Sequence, residues 1–319
     1  MALLAAVALV TAGASWLAPN PPERRFPDLL NAPPTRVRVW DGGPRAPFIY
    51  RQRVVSRLER RFENVITERV SLRWLDDGAL VTADPAGGAP LLMLGTDSYG
   101  RDIFARLVHG ARLTLALALL ATLGATLVGG LVGGVSGYAG GRVDLLLSRL
   151  TEFVLVLPAI YVVLALRAAL PLAVPPRTVF LSLAGIFVLL GWPTVARGVR
   201  AIVASERARD YVSAAEALGA RPTRVLLRHL LPAARGHLLT QATLLLPAFI
   251  LAEATMSYIG LGFPEATPTW GTMLQEASNV ALLSEAPWTL APAGAIFLVV
   301  LGVNLAIQSP TRPQVQLDR

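Results

Sequence analysis

The chain contains neither cysteine nor lysine, and only three histidines among its 319 residues. Without cysteine there is no disulfide framework, no thiolate metal site and no thiol nucleophile. Without lysine a Walker-type phosphate loop cannot be completed, because that loop sends a lysine amine to the β and γ phosphates. Charge is scarce too, at 16% of residues, whereas 54% are hydrophobic and the mean hydropathy is +0.54. These values lie on the membrane side of the averages for soluble domains. The formal charge is +8. The arginines nevertheless interrupt apolar runs and form no continuous stripe with aromatics, so nucleic acid is not expected as a partner.

A helix that crosses a bilayer needs about 20 largely apolar residues, each rising ~1.5 Å through a hydrocarbon core ~30 Å thick. Six segments meet that requirement, at 2–18, 113–135, 152–172, 179–196, 238–261 and 288–308. The first competes with a cleaved signal peptide, since Ala12-Gly13-Ala14 is a small-residue run, but nothing basic precedes Arg24 and a retained span is favoured. Arginine should be in excess in the short cytoplasmic loops. One set of loops holds Arg142 and Arg149, then Arg197, Arg200, Arg207, Arg209, Arg221, Arg224, Arg228 and Arg235, with Arg312 and Arg319 in the tail. The opposite set holds Arg177 and the acids Glu265, Glu276 and Glu285. Both termini and the loop 197–235 are therefore expected inside. The twelve arginines from Arg24 to Arg73 lie in a loop longer than ~60 residues, where the charge rule loses force.

That loop, 19–93, reads as a small domain. It opens with Pro19, Pro21, Pro22, Pro27, Pro33 and Pro34, then alternates in Arg36-Val-Arg-Val-Trp40 and Val70-Ser-Leu-Arg-Trp-Leu75. Alternation of period two marks half-buried strands, and Asp41-Gly42-Gly43 and Asp76-Asp77-Gly78 supply turns. The expected fold is an all-α polytopic membrane protein of about six transmembrane helices with a small β-rich extracytoplasmic insert. The main membrane-spanning body is expected over 94–309, with 310–319 as a cytoplasmic tail.

Within the second span Gly129, Gly133, Gly137 and Gly141 recur every four residues, a smooth stripe on which another helix can pack closely, from this chain or from a second one. In the cytoplasmic loop, 205–218 is rich in helix formers, Gly219 suits a left-handed helix end, and Arg221-Pro222 can start another helix. Two short helices meeting at a turn in the cytoplasm suggest a docking surface for a soluble partner. Glu253 is a costly charge within the fifth span unless it faces a cavity or a partner, and with Ser257 it is a candidate for lining a path. Asp97, Arg101 and Asp102 could imitate a catalytic cluster, but no nucleophile or metal-ligand set accompanies them and a hydrogen-bonded turn is preferred.

The cytoplasmic segment resembles the motif of ABC importer permeases: Glu-Ala-Ala, three residues, Gly, nine residues, Ile-x-Leu-Pro. Here it reads Ser213-Ala214-Ala215, Gly219 and His229-Leu230-Leu231-Pro232, with every gap of the right length. Ser213 and His229 in place of Glu and Ile, with Arg228 before His229, resemble the dipeptide/oligopeptide (peptide/nickel) branch, in its second-permease type. Leu94-Gly-Thr-Asp97-Ser-Tyr-Gly100-Arg101-Asp102 with Arg106, Gly110 and Arg112, the loop Gly137-Tyr-Ala-Gly-Gly141-Arg-Val-Asp144, and Ser257-Tyr-Ile-Gly-Leu-Gly262 with Pro268-Thr-Trp270-Gly271 resemble further segments of that branch.

The resemblance implies that Asp210, Tyr211, Val212, Ser213, Ala214, Ala215, Leu218, Gly219, Arg228, His229, Leu231 and Pro232 form the helix and loop that couple to an ATPase. It also implies two cytoplasmic ABC ATPase subunits, a second permease subunit, an extracytoplasmic solute-binding protein and surrounding membrane lipid. No catalytic residue, cofactor or metal is expected in this chain. Cargo other than peptide (a nickel chelate, glutathione, a sugar or a peptide antibiotic) stays open. A membrane hydrolase using Asp97 or Asp102, and an ion-coupled secondary transporter, are the rival classes; neither has its usual residues here.

Overall fold

The computed structural model describes residues 2–41, 43–56, 60–76, 78–168, 175–278 and 280–308. The chain divides into two compact units, Met1–Arg112 with Glu276–Arg319, and Leu113–Gln275.

The first unit begins with α1 (Ala2–Ala12) and α2 (Ala14–Leu17). The expected span 2–18 is thus broken at Gly13, and α1 alone, at ~1.5 Å per residue, covers only about half of a ~30 Å core. The carbonyls at the break are not left bare. The Arg112 guanidinium donates to Thr11 O at 2.8 Å, Ala12 O at 2.7 Å and Ser15 Oγ at 3.1 Å. A planar cation with several donors suits the carbonyl end of a helix, where the dipole is negative.

The strands β1 (Arg38–Trp40), β2 (Pro44–Ser56), β3 (Arg61–Asp76) and β4 (Ala79–Ala83) follow. They form an antiparallel sheet in the order β1-β2-β3-β4. Both alternating runs lie in or overlap strands. β2 is an addition, because Pro44 and Pro47 hide its period. Gly42 and Asp77 of the expected turns lie outside the described residues. Ile49, Val70, Val81 and Leu91 make one buried cluster under the sheet, and Leu29, Ala32 and Leu92 a second.

The helices after the sheet are α3 (Ile103–Ala139), α4 (Gly141–Val156), α5 (Ala159–Ala168), α6 (Pro176–Arg207), α7 (Asp210–Ala217), α8 (Pro222–Val225), α9 (Leu231–Ala233), α10 (Arg235–Tyr258), α11 (Trp270–Glu276), α12 (Val280–Glu285) and α13 (Ala291–Gln308). Among the described residues four helical stretches are long and apolar enough to cross a membrane: α3, α6, α10 and Pro287–Ala306. The pair α4 and α5 makes a fifth if its 85° bend is allowed within one span. Six were expected, and the third, 152–172, is where this bend falls. Pro158 causes it, because its ring disfavours the helical conformation at the preceding residue, and Leu157 is extended at φ −64, ψ 120. Residues 169–172 of that segment and the tail 310–319 lie outside the described residues.

In the second unit the glycine stripe of α3 faces α6. A Cβ added at Gly129 would stand 2.6 Å from the Trp192 carbonyl oxygen, and one at Gly137 2.6 Å from that of Arg200. At Gly133 it would sit 3.0 Å from the Ala196 Cα. The stripe is filled by backbone of this chain. Gly141 does not belong to it: its φ is +55, an added Cβ would meet nothing within 4 Å, and it starts α4 instead.

Gly133→Leu should push α3 and α6 apart and cost about 1–3 kcal/mol, as overpacking does. Thermal melting of the purified chain in detergent reads this as a clear drop in Tm. Gly185→Leu is the control, because a Cβ at Gly185 meets nothing within 4 Å, and it should leave the Tm unchanged.

Candidate functional site

The helix α7 is short and half detached. Val212, 1% exposed, is its anchor, inserted among Val195, Val199 and Val203 of α6 and Val225, Leu226 and Leu230 beyond. Tyr211 Oη donates to Glu206 Oε2 at 2.8 Å, and Tyr138 Oη at the end of α3 donates to Glu216 Oε1 at 3.0 Å. Tyr211, Ser213, Ala214, Ala217 and Leu218 face outward, and Leu218 is 89% exposed. Gly219 has φ +81, and the helix end is closed by Ala220 N–H donating to Ala215 O at 3.0 Å. A residue with a Cβ is costly in that conformation, which is why glycine stands there.

Beyond α8 the chain widens into a π turn over Leu226–Leu230 before α9. Leu231 N–H reaches back five residues to Leu226 O. Pro232 gives the reason. Its ring would clash with a carbonyl four residues earlier in a tight helix, and one extra residue in the turn removes the clash. Sequence reasoning missed this turn, although Pro232 inside a helix-forming run is its signal. Arg228 is exposed, His229 and Leu231 are half-buried and Pro232 is exposed, so the predicted residues form one continuous surface segment with an apolar underside.

Asp144 and Arg200 pair side-on: Arg200 Nη2 donates to Asp144 Oδ2 at 2.6 Å and Nε donates to Oδ1. Ser136 Oγ donates to Asp144 Oδ1 at 2.5 Å. This bidentate contact joins α4 to α6 and lies beside the end of α3. The sequence offered only a hint, an arginine late in an apolar helix that has to find a counter-charge.

Glu253 is 0% exposed, as is Ser257. Thr114 Oγ1 and Ser257 Oγ donate to its two carboxyl oxygens at 2.9 and 2.8 Å. Both residues, expected as candidates for a path, are thus sealed within the second unit in this conformation. They fasten α10 to α3, and Trp270 N–H adds a contact to Thr114 Oγ1 at 3.3 Å.

The turn before α3 is built from the first unit's acids. Asp97 Oδ1 accepts from Tyr99 N–H and Arg101 N–H, each at 2.9 Å, and Oδ2 accepts from Arg101 Nε at 2.7 Å. Arg101 also pairs with Glu276, and Arg106 Nη2 lies 3.5 Å from it. Burial, with Asp97 beside it, pushes the Glu276 carboxyl above its ordinary value against the pull of the two arginines. Asp102 caps α3, accepting from Phe104 N–H at 2.9 Å and Ala105 N–H at 3.3 Å, while Asn20 Nδ2 donates to its other oxygen at 2.8 Å. This is a packed turn with an N-cap. Among the described residues no set of three or more histidine, aspartate or glutamate side chains converges to hold a metal ion.

Residues 125–309 match the family described as binding-protein-dependent transport system inner membrane component. The oligopeptide transport system permease protein OppC of Lactococcus lactis subsp. cremoris is 35% identical over 209 residues, 66% of this chain and 69% of that protein. The dipeptide transport system permease protein DppC of Alkalihalophilus pseudofirmus is 36% identical over 212 residues, 66% of this chain and 67% of the other. Among solved structures, an inward-facing conformation of the MetNI methionine ABC transporter superposes with a TM-score of 0.50 at 19% identity, covering 63% of this chain and 92% of that one. This last likeness concerns the fold.

Burial raises the Asp102 carboxyl from 3.8 to about 6. A carboxyl that holds its proton more tightly folded than unfolded gives stability that is complete below pH ~3.8 and lost as pH rises toward ~6, at most about 3 kcal/mol. Melting of the detergent-solubilised chain between pH 4 and 7 should therefore favour the acid side. Asp102→Asn, which removes the titrating group, should flatten that part of the profile.

Proposed function

The chain belongs to the family of binding-protein-dependent transport system inner membrane components, and from that membership we propose that it carries peptides across the membrane as one permease of a pair. It is a multi-pass inner-membrane subunit of an ABC importer, with the type I permease fold. Its residues bind, seal and transmit; ATP hydrolysis takes place in separate cytoplasmic subunits. The named cargo of the relatives, oligopeptides and dipeptides, supports the peptide assignment.

The observation that carries the coupling reading is the outward face of α7, a helix with one deeply inserted anchor, Val212, and an apolar tip, Leu218, left in solvent. A groove on an ATPase accepts Tyr211, Ser213, Ala214, Ala215 and Leu218, with Arg228 and His229 on the returning segment. Asp210 begins the helix and Gly219 turns the chain out of the groove. Closure of two ATPases on ATP moves α7. Its ties to α6 through Val212 and Glu206, and to α3 through Glu216, pass that motion to the spans. The broken helix 2–18 completes six spans, which leaves 19–93 outside, where a solute-binding protein delivers cargo.

Gly219→Val forces a β-branched residue into the left-handed region, at about 1–2 kcal/mol. Leu218→Asp places charge where an apolar tip is buried and should weaken ATPase binding on the order of 10-fold or more. In a reconstituted importer both variants should insert normally and lose cargo-stimulated ATP hydrolysis and uptake together. Wild-type uptake and stimulation in both would refute the reading.

A further inference from the structure

The insert sheet has a bare apolar end. Trp40 at the end of β1, Trp74 and Leu75 near the end of β3, and the start of β4 all lie at the same end of the antiparallel ladder, since Trp40 pairs with Pro44 and Asp76 with Ala79. Trp40 is 66% exposed, Trp74 57% and Leu75 72%. Leu75 also has φ +55, a conformation costly for a leucine and held only when the surroundings enforce it. An apolar side chain kept outward against such strain marks a contact surface.

The sheet's fastenings show what that surface meets. β4 runs beside α2, and Ala79, Thr82 and Ala83 share the lining of one cavity with Ser15, Asn20 and His109. At the opposite end of the ladder, Arg60 Nη1 donates to Glu285 Oε2 at 2.7 Å, just ahead of the stretch that leads into α13. α1 and α13 pack on one another. The ribbon is therefore tied at the mouths of two neighbouring apolar helices, and its bare end extends beside α2. Trp16 of α2 is exposed, as are Leu9 and Val10 of α1. Arg36, Arg38 and Arg45 flank the bare end and are exposed. Tryptophans beside an apolar helix end, with arginines around them, have the composition of a bilayer interface, where indoles sit at headgroup level and guanidinium groups meet lipid phosphates.

We propose that Trp40, Trp74 and Leu75 anchor the insert sheet in the headgroup and upper acyl region of the bilayer beside α1 and α2, and that this anchor sets the height of the sheet above the spans. The contact uses lipid phosphate and hydrocarbon, and no soluble protein is needed to cover it. Which leaflet is involved rests on the orientation given under the proposed function; depth itself does not.

The absence of cysteine makes the test direct. Leu75→Cys, Trp40→Cys and Glu63→Cys, the last on the exposed face of the ribbon, are spin-labelled one at a time in the full chain and reconstituted into bilayers containing anionic lipid. Collision with oxygen should exceed collision with a water-soluble nickel chelate at 75 and 40, and the order should reverse at 63. Nickel access at 75 and 40 equal to that at 63 overturns the proposal, and so does shielding from both reagents, which would mean a protein cover. Either result leaves the permease reading intact, because that reading is tested at Leu218 and Gly219.

Discussion

The close approach of α3 to α6 is the contact from which the rest of the second unit is hung. Helices in lipid gain nothing by hiding apolar side chains from one another, so association depends on how tightly their surfaces fit. Gly129, Gly133 and Gly137 leave a strip of α3 without side chains over about two turns, and the carbonyls and Cα atoms of α6 settle into the space. With α6 fixed in this way, Val195 and Val203 border the glycine contact and with Val199 form a row that receives Val212, Val225, Leu226 and Leu230. The hairpin of α7 to α9 thus rests on a continuation of a long apolar helix and not on a loop of its own. In the proposed coupling, movement of α7 passes to the spans because its floor is a helix held against a second helix.

Polar groups near the spans obey a matching constraint. Each costs free energy in an apolar setting unless paired, and several here have partners that join two elements. Arg112 holds the broken end of α1, Asp144 and Arg200 join α4 to α6, Glu253 joins α10 to α3 through Thr114, and Asp97 with Glu276 collects Arg101 and Arg106. Buried ion pairs add little net stability over an apolar equivalent, but breaking one partner is expensive. Their effect is to specify which elements meet. In a chain whose apolar helices could otherwise slide or rotate in lipid, that specification is what fixes register.

Much of this was legible beforehand, and the reasons differ from place to place. Gly219 and the stripe at 129, 133 and 137 could be read because local backbone geometry and residue spacing dictate them directly. The two alternating runs of the insert betrayed strands for the same reason, whereas β2 was hidden by its prolines. The bend at Pro158 and the π turn before Pro232 were encoded by proline sterics but masked by the apolar runs around them, where hydropathy averages over geometry. The partners of Arg101, Arg200 and Glu253 were out of reach, since a pairing across 56 or 175 positions leaves no local mark. Gly141 shares the spacing of the stripe yet serves a different purpose, because the helix ends at Ala139 and the period no longer applies.

The central claim is that the tip of α7 lies in the cytosol in the grip of an ATPase. In a chain with no native cysteine, Leu218→Cys provides the one reactive thiol for a short bifunctional crosslinker in membranes that contain the whole importer. The account predicts a crosslinked product between this chain and the ATPase subunit, with position 218 protected from a membrane-impermeant maleimide added outside intact cells. Labelling of that position from the outside, or no crosslink to an ATPase in a complex that transports, would contradict it.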